Sequence, residues 1–431
     1  MIMRAWLLQI LFGFAAFQSP GDRAVKEIYL RQGFKIVDVD PVKRAIGPPA
    51  SPRHPIPMDT PDLHGYQQPF ANSQLNSRAG PSLPHGTWEV RWKTQLNPDF
   101  PAAFVLQEGD RIVTDSPASQ LFDTAGTAVG PMERVTSGPM FLTTTGGFVY
   151  RMLPTGYLVA SHPIDGKQAF VFLPEMGDML SRTLLTRQRT RLLIAGSERA
   201  LDPHGRVKPT RSVLQVMEIN EPVQTREPGL LSSGRSLGAL YVTSLGLVAA
   251  AGSDLIAAAV PNRIYLVDWA LKVSLALTGD FTPEQISLDN AGRIYLIAKV
   301  AHTTELWLLD REGNRLYTFD LGNNIARFPI PPAIGYDHTA YIAAGPNLTA
   351  ISAEGKQLWS HPDEGRIAGL SVTADGQVLM SQGKSIVAWS PAGERRVIAS
   401  LPEAVAIPPV LTASGDLLAA SSKTLYCLHA R

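Results

Sequence analysis

One class of turn recurs along this chain and limits what it can fold into. A short apolar segment ends in a polar turn, and a second apolar segment follows. ELWLLDREGNRLYTF (305–319), NLTAISAEGKQLWSH (347–361) and SIVAWSPAGERRVIA (385–399) show the pattern most plainly. The turn positions are Gly126, Gly166, Gly205, Leu271, Gly313, Gly355 and Gly393, with successive steps of 40, 39, 66, 42, 42 and 38 residues. A second series interleaves with the first: Asp289–Gly292, Asp337–Thr339, Ala374–Gly376 and Ala413–Gly415. Segments this short, bounded by Gly, Asp, Asn and Ser, read as strands and hairpins, and no helical period of useful length competes with them.

Two turn series at one spacing are what the a→b and c→d hairpins of a repeated four-stranded unit produce, and four strands in about 40 residues is the unit of a β-propeller blade. Seven c→d turns imply seven complete blades. The tail PPVLTASGDLLAASSKTLYCLHA (408–430) holds three further strands without a fourth. The isolated strand at 88–96, opening Trp88-Glu89-Val90-Arg91-Trp92, supplies it, because pairing the two chain ends removes an exposed sheet edge. The expected fold is an all-β, eight-bladed β-propeller closed by the N-terminal strand 88–96, with seven blades as the alternative. The step of 66 marks an insertion around Glu218–Ser236, where Pro222, Pro228 and Gly229 interrupt the strands.

Ahead of the propeller the text changes. Arg4 precedes an apolar run from Ala5 to Phe17 broken only by Gln9, a pattern of signal peptide or signal anchor for residues 1–24. Residues 25–87 read as an extended arm. From Pro41 to Thr87 there are ten prolines, too many for a helix or a central strand. An arm of that length either tethers the globular part (88–431) to a membrane or lies along the body or a partner.

The Pro332–Trp359 segment resembles a repeat of the PQQ-type (quinoprotein-like) propeller family. The residues that carry the resemblance are Pro332-Ala333, Asp337 with Tyr341, and Gly355-Lys356-Gln357-Leu358-Trp359. Pro69-Phe70-Ala71-Asn72 through Arg78, then Trp92-Lys93-Thr94, is similar to the opening before the first blade in that family. The resemblance implies one of two roles. The non-catalytic branch, similar to the outer-membrane assembly propeller, consists of scaffolds without cofactor. The catalytic branch consists of quinone-dependent dehydrogenases, several of which use adjacent cysteines and a carboxylate-rich calcium site.

The residues favour the first branch. Cys427 is the one cysteine, inside the run Leu425-Tyr426-Cys427-Leu428, so neither a cysteine pair nor a CxxC site exists. No acidic cluster has calcium-ligand spacing, and the nine histidines form no zinc pair. Gly234-Arg235-Ser236-Leu237-Gly238 matches the G-x-S-x-G pattern but lacks the strand-then-helix context of a nucleophile elbow, so it reads as a glycine-rich loop. The balance of 39 basic and 38 acidic residues argues against a nucleic-acid partner.

No catalytic, cofactor-binding or metal residue is therefore assigned. Arg182, Arg187, Arg189 and Arg191 form the densest basic group, either an interaction patch for acidic partners or a solvated hairpin tip. Trp92, Trp307, Trp359 and Trp389 read as residues that pack one blade on the next. The function expected is an exported, periplasmic or extracytoplasmic scaffold that binds proteins as an accessory subunit of a membrane-associated complex, with membrane contact through residues 5–17. The alternative is an enzyme using the propeller channel: a degenerate quinoprotein dehydrogenase, a hydrolase or a lyase.

Overall fold

The structure, a computed structural model, describes residues 43–46, 77 and 79–97 and, with interruptions between strands, residues 104–431. Residues 1–42, and with them the hydrophobic N-terminal segment, lie outside the described residues, as does most of the arm. Among the described residues there is no helix. The strands form eight sheets, seven of four strands and one of five. Apart from Lys43–Ala45, which adds to the outer edge of the fourth sheet, each sheet is a meander whose strands pair in sequence order, except where the chain ends meet.

That exception is the N-terminal strand. Trp88–Gln95 pairs antiparallel with Thr424–Ala430 and becomes the outer strand of the eighth sheet, whose other members are Val410–Leu411 and Leu417–Ala420. Asp416 ties the two chain ends together. Its Oδ2 accepts from Arg91 Nη1 at 2.8 Å, and its Oδ1 lies 2.7 Å from His429 Nδ1.

The core lies between sheets rather than within one. Middle strands such as Ile256–Val260 and Leu417–Ala420 are buried along their whole length, whereas outer strands such as Gln357–Pro362 show mostly exposed positions. A middle strand is covered on both faces by neighbouring sheets, so its sequence is continuously apolar instead of alternating. One apolar cluster joins Ile264, Leu266 and Leu277 of the fourth sheet to Leu296, Trp307 and Leu309 of the fifth. Another joins Val105, Ile112 and Phe122 of the first sheet to Val410, Leu418 and Leu425 of the eighth, which places the last sheet against the first.

Turn chemistry explains the spacing seen in the sequence. In the turn after Asp123, Oδ1 accepts from the N–H groups of Ala125 (2.9 Å) and Thr127 (2.8 Å), and Gly126 takes φ +81°. Asp268, Asp310 and Ser352 cap their turns in the same way. A short polar side chain satisfies two turn donors, and a left-handed residue then reverses the chain. Leu271 holds that left-handed position in the fourth sheet at φ +58°, where most of the other turns use glycine.

The third sheet departs from expectation in one respect. Gly205 lies outside the described residues, but the strands flanking it, Arg191–Leu201 and Val207–Glu218, are the second and third of their sheet. Its turn is therefore b→c, and the insertion at 219–234 occupies the c→d connection. Arg235–Val242 is the outer strand, so Ser236 sits within a strand rather than in a glycine-rich loop.

Candidate interaction face

Antiparallel meanders bring the a→b and c→d turns out on one face of the molecule. On that face the described end of the arm crosses the last three sheets. Tyr336 of the sixth sheet donates its hydroxyl to the Ala79 carbonyl at 3.3 Å. At the seventh sheet, Ala79 N–H donates to Val372 O at 2.6 Å and Val372 N–H donates to Ser77 O at 2.8 Å. Ala374 N–H donates to Pro81 O at 3.1 Å, and Leu83 N–H donates to Asp375 Oδ1 at 3.0 Å. Ala79 and Leu83 are buried in the apolar cluster between the seventh and eighth sheets.

The arm thus binds as extended chain, held by main-chain hydrogen bonds and two small apolar anchors. Proline suits this, because a docked segment with φ preset and few free donors loses little entropy on binding. A second arm segment is docked elsewhere. Lys43–Ala45 pairs in parallel with Val273–Thr278, the outer strand of the fourth sheet, and is the fifth strand there.

The a→b turns of the fifth and sixth sheets also hold a buried polar cluster that was not singled out from the sequence. Asp289 opens the a→b turn of the fifth sheet, and its Oδ1 accepts from Ala291 N–H and Arg293 N–H, both at 3.0 Å. Its Oδ2 accepts from Arg293 Nε at 2.6 Å and from Tyr295 Oη at 3.3 Å, and lies 3.4 Å from His338 Nδ1. Burial pushes the Asp289 carboxyl up, but the His338 contact and the Arg293 charge outweigh that and hold it below the usual aspartate range. Tyr295 Oη also lies 3.3 Å from the His338 carbonyl, tying the fifth sheet to the sixth.

His338 occupies the left-handed position of its turn at φ +66°, where Gly292, Gly376 and Gly415 stand in the neighbouring a→b turns. The signal was available. Aligning the a→b turns sets one histidine among glycines, and a buried residue in that conformation carries a strain that needs compensation.

The four tryptophans fall into two groups. Trp359 and Trp92 are on outer strands. Trp359 donates its indole N–H to Pro391 O at 2.9 Å, in the c→d turn of the next sheet. Trp307 and Trp389 are on third strands. Trp389 stacks on Trp359 at 5.8 Å between ring centroids, and Trp307 meets Phe281 edge-on at 5.0 Å. In the basic group, Arg182 and Arg189 lie outside the described residues. Gln188 pairs with Arg191 and Arg187 with Leu192, so the run folds back as a hairpin and does not lie along one strand.

Among the described residues, no three His, Cys, Asp or Glu side chains gather where a metal could sit. Cys427 is buried, and burial together with the nearby Asp416 charge pushes its thiol up to about 12.

No protein-family model matches the chain, and no curated protein matches it. Solved structures do. BamB from Moraxella catarrhalis superposes with a TM-score of 0.55 at 11% identity, over 80% of this chain and 98% of that one. A europium-containing methanol dehydrogenase superposes with a TM-score of 0.58 at 9% identity, over 85% of this chain and 98% of that one. At such identities the likeness is one of fold, and the fold is a β-propeller.

Proposed function

We propose that this propeller is an extracytoplasmic protein-binding scaffold, an accessory subunit of a membrane-associated complex. One observation carries the reading: the body binds extended polypeptide through main-chain hydrogen bonds, using its own arm at Ser77–Leu83. A surface that takes an extended segment in cis has the chemistry to take one from a partner. Superposition on BamB over most of both chains is consistent with this role, and residues 1–24 supply the export signal or the anchor. Arg182, Arg187, Arg189 and Arg191 offer basic groups to an acidic partner.

The rival reading, an enzyme in the channel, draws on the dehydrogenase superposition. The buried His338–Asp289 pair is its nearest candidate for acid–base chemistry. Both side chains are sealed from solvent, at 1% and 0% relative exposure, which suits a structural tie better than a reacting group. Affinity purification from solubilised membranes tests the proposal. One or more membrane proteins should co-purify in constant ratio. Recovery of a free monomer with no enriched partner would overturn it.

A further inference from the structure

We propose that the outer edge of the fourth sheet is a strand-acceptor site for an extended segment of a partner protein, and that Lys43–Ile46 is its built-in competitor. This inference rests on the scaffold reading and gives it a location and a ligand chemistry.

The edge itself carries neither of two common protections against pairing. Val273–Thr278, VSLALT, has no charged residue and no proline. The outer strands of the fifth, seventh and eighth sheets all carry charges: Arg315 and Asp320, Arg395 and Arg396, and Glu89, Arg91 and Lys93. Charge and proline are how sheet edges are kept from pairing with other chains. The fourth sheet lacks both and is covered instead.

The cover is short. Lys43 sits opposite Ala276, Arg44 opposite Leu277 and Ala45 opposite Thr278, in parallel. Ile46 N–H donates to Thr278 O at 3.0 Å, and the half-buried Ile46 side chain packs on the cluster between the fourth and fifth sheets. Pro48-Pro49 follows two residues later and cannot donate to a continuation of the pairing. Among the described residues, no arm strand pairs with Val273–Leu275. A partner segment of about five or more residues, the usual strand length, would pair along the whole of Val273–Thr278 rather than the three positions opposite Lys43–Ala45. It needs an aliphatic residue at the Ile46 position to fill the same notch. The arm's advantage is its tether, which gives it a high effective concentration at the edge. Displacement then requires a longer or better-matched strand, which makes the arm a filter against weak partners.

The test uses the purified full chain and a fluorescein-labelled peptide of residues 41–49. Wild-type protein should bind it weakly, because its own arm holds the site. Ile46→Asp should bind it at least tenfold more tightly, and Ile46→Ala should fall between. Adding Thr278→Pro to Ile46→Asp should abolish binding. Thr278 directs its carbonyl at the arm, so its N–H also faces outward and its loss spares the bonds inside the sheet. Thermal melting checks that each variant is folded. Equal affinity for wild type and Ile46→Asp, or binding that survives Thr278→Pro, would overturn the proposal, as would equal binding of a scrambled peptide. If the peptide behaves as expected while no membrane protein co-purifies, the acceptor edge stands and the complex does not. The opposite outcome leaves the scaffold and removes this edge from it.

Discussion

Trp92 of the N-terminal strand lies against Gly126 of the first sheet: a Cβ placed on Gly126 would come within 2.5 Å of the indole ring. The same indole donates its N–H to the Thr124 carbonyl at 2.9 Å. This is where the eighth sheet meets the first. Tyr317 against Gly355 and Trp359 against Gly393 repeat the arrangement at two other junctions. Each pairs a ring from one outer strand with a left-handed glycine in the next sheet's turn, where no larger residue fits.

Gly126→Ala should therefore cost stability twice, through the left-handed backbone and through the clash. Together these amount to roughly 2–5 kcal/mol. Trp92→Ala alone should also destabilise. In the double variant the clash is gone, so its loss should be smaller than the sum of the two. A double-mutant cycle by denaturant unfolding measures the coupling, and simple additivity would contradict the junction described.

His338 yields a prediction opposite to the usual ranking of glycine and alanine. At φ +66° a side chain strains the backbone, so His338→Gly should be more stable than His338→Ala by about 1–2 kcal/mol. Both should be less stable than the parent, because each loses the Asp289 contact. Comparing the three melting curves decides it.

Asp289→Asn should leave the buried Arg293 charge without its carboxylate, a loss on the order of 3–5 kcal/mol near neutral pH. The folded-state pKa of Asp289 lies below its unfolded value of about 3.8. Its stabilisation is therefore complete above that value and is lost as pH falls through the folded one. The gap between parent and variant should hold steady from neutral pH down to about pH 5 and close below about pH 4. Urea unfolding across that range measures it.

Cys427 pairs with Trp92 across the strand that joins the two chain ends. Its buried, high-pKa thiol should resist iodoacetamide in the native protein and react once that strand is released. Deleting residues 88–95 should raise the thiol's reaction rate above the parent's without reaching the rate in denaturant, because residues of the first sheet such as Val105 and Ile112 still pack in the same cluster. An unchanged rate would mean that the strand adds nothing to its protection.

Much of the architecture could be read from the turns, because a polar cap and a left-handed residue leave a local mark. Leu271 shows how far this goes. Spacing alone placed it in a glycine series, and it takes φ +58°. Gly205 shows the limit, since spacing cannot tell a b→c hairpin from a c→d one when an insertion occupies the true c→d connection. The tryptophans show another. A ring on a third strand and a ring on an outer strand look alike in sequence, and only pairing separates Trp307 and Trp389 from Trp92 and Trp359. The Asp289–His338 tie and the docking of Lys43–Ile46 join residues far apart in the chain, so no local pattern announces them.

On the reading proposed above, the propeller's outer surface binds extended segments of partner proteins. The most direct measurement is site-specific photo-crosslinking in cells from Ser274, an exposed residue on the acceptor edge. The expected result is an adduct with a second protein in the membrane fraction, stronger when Ile46→Asp frees the edge. Crosslinks only within the chain itself, unchanged by Ile46→Asp, would contradict it.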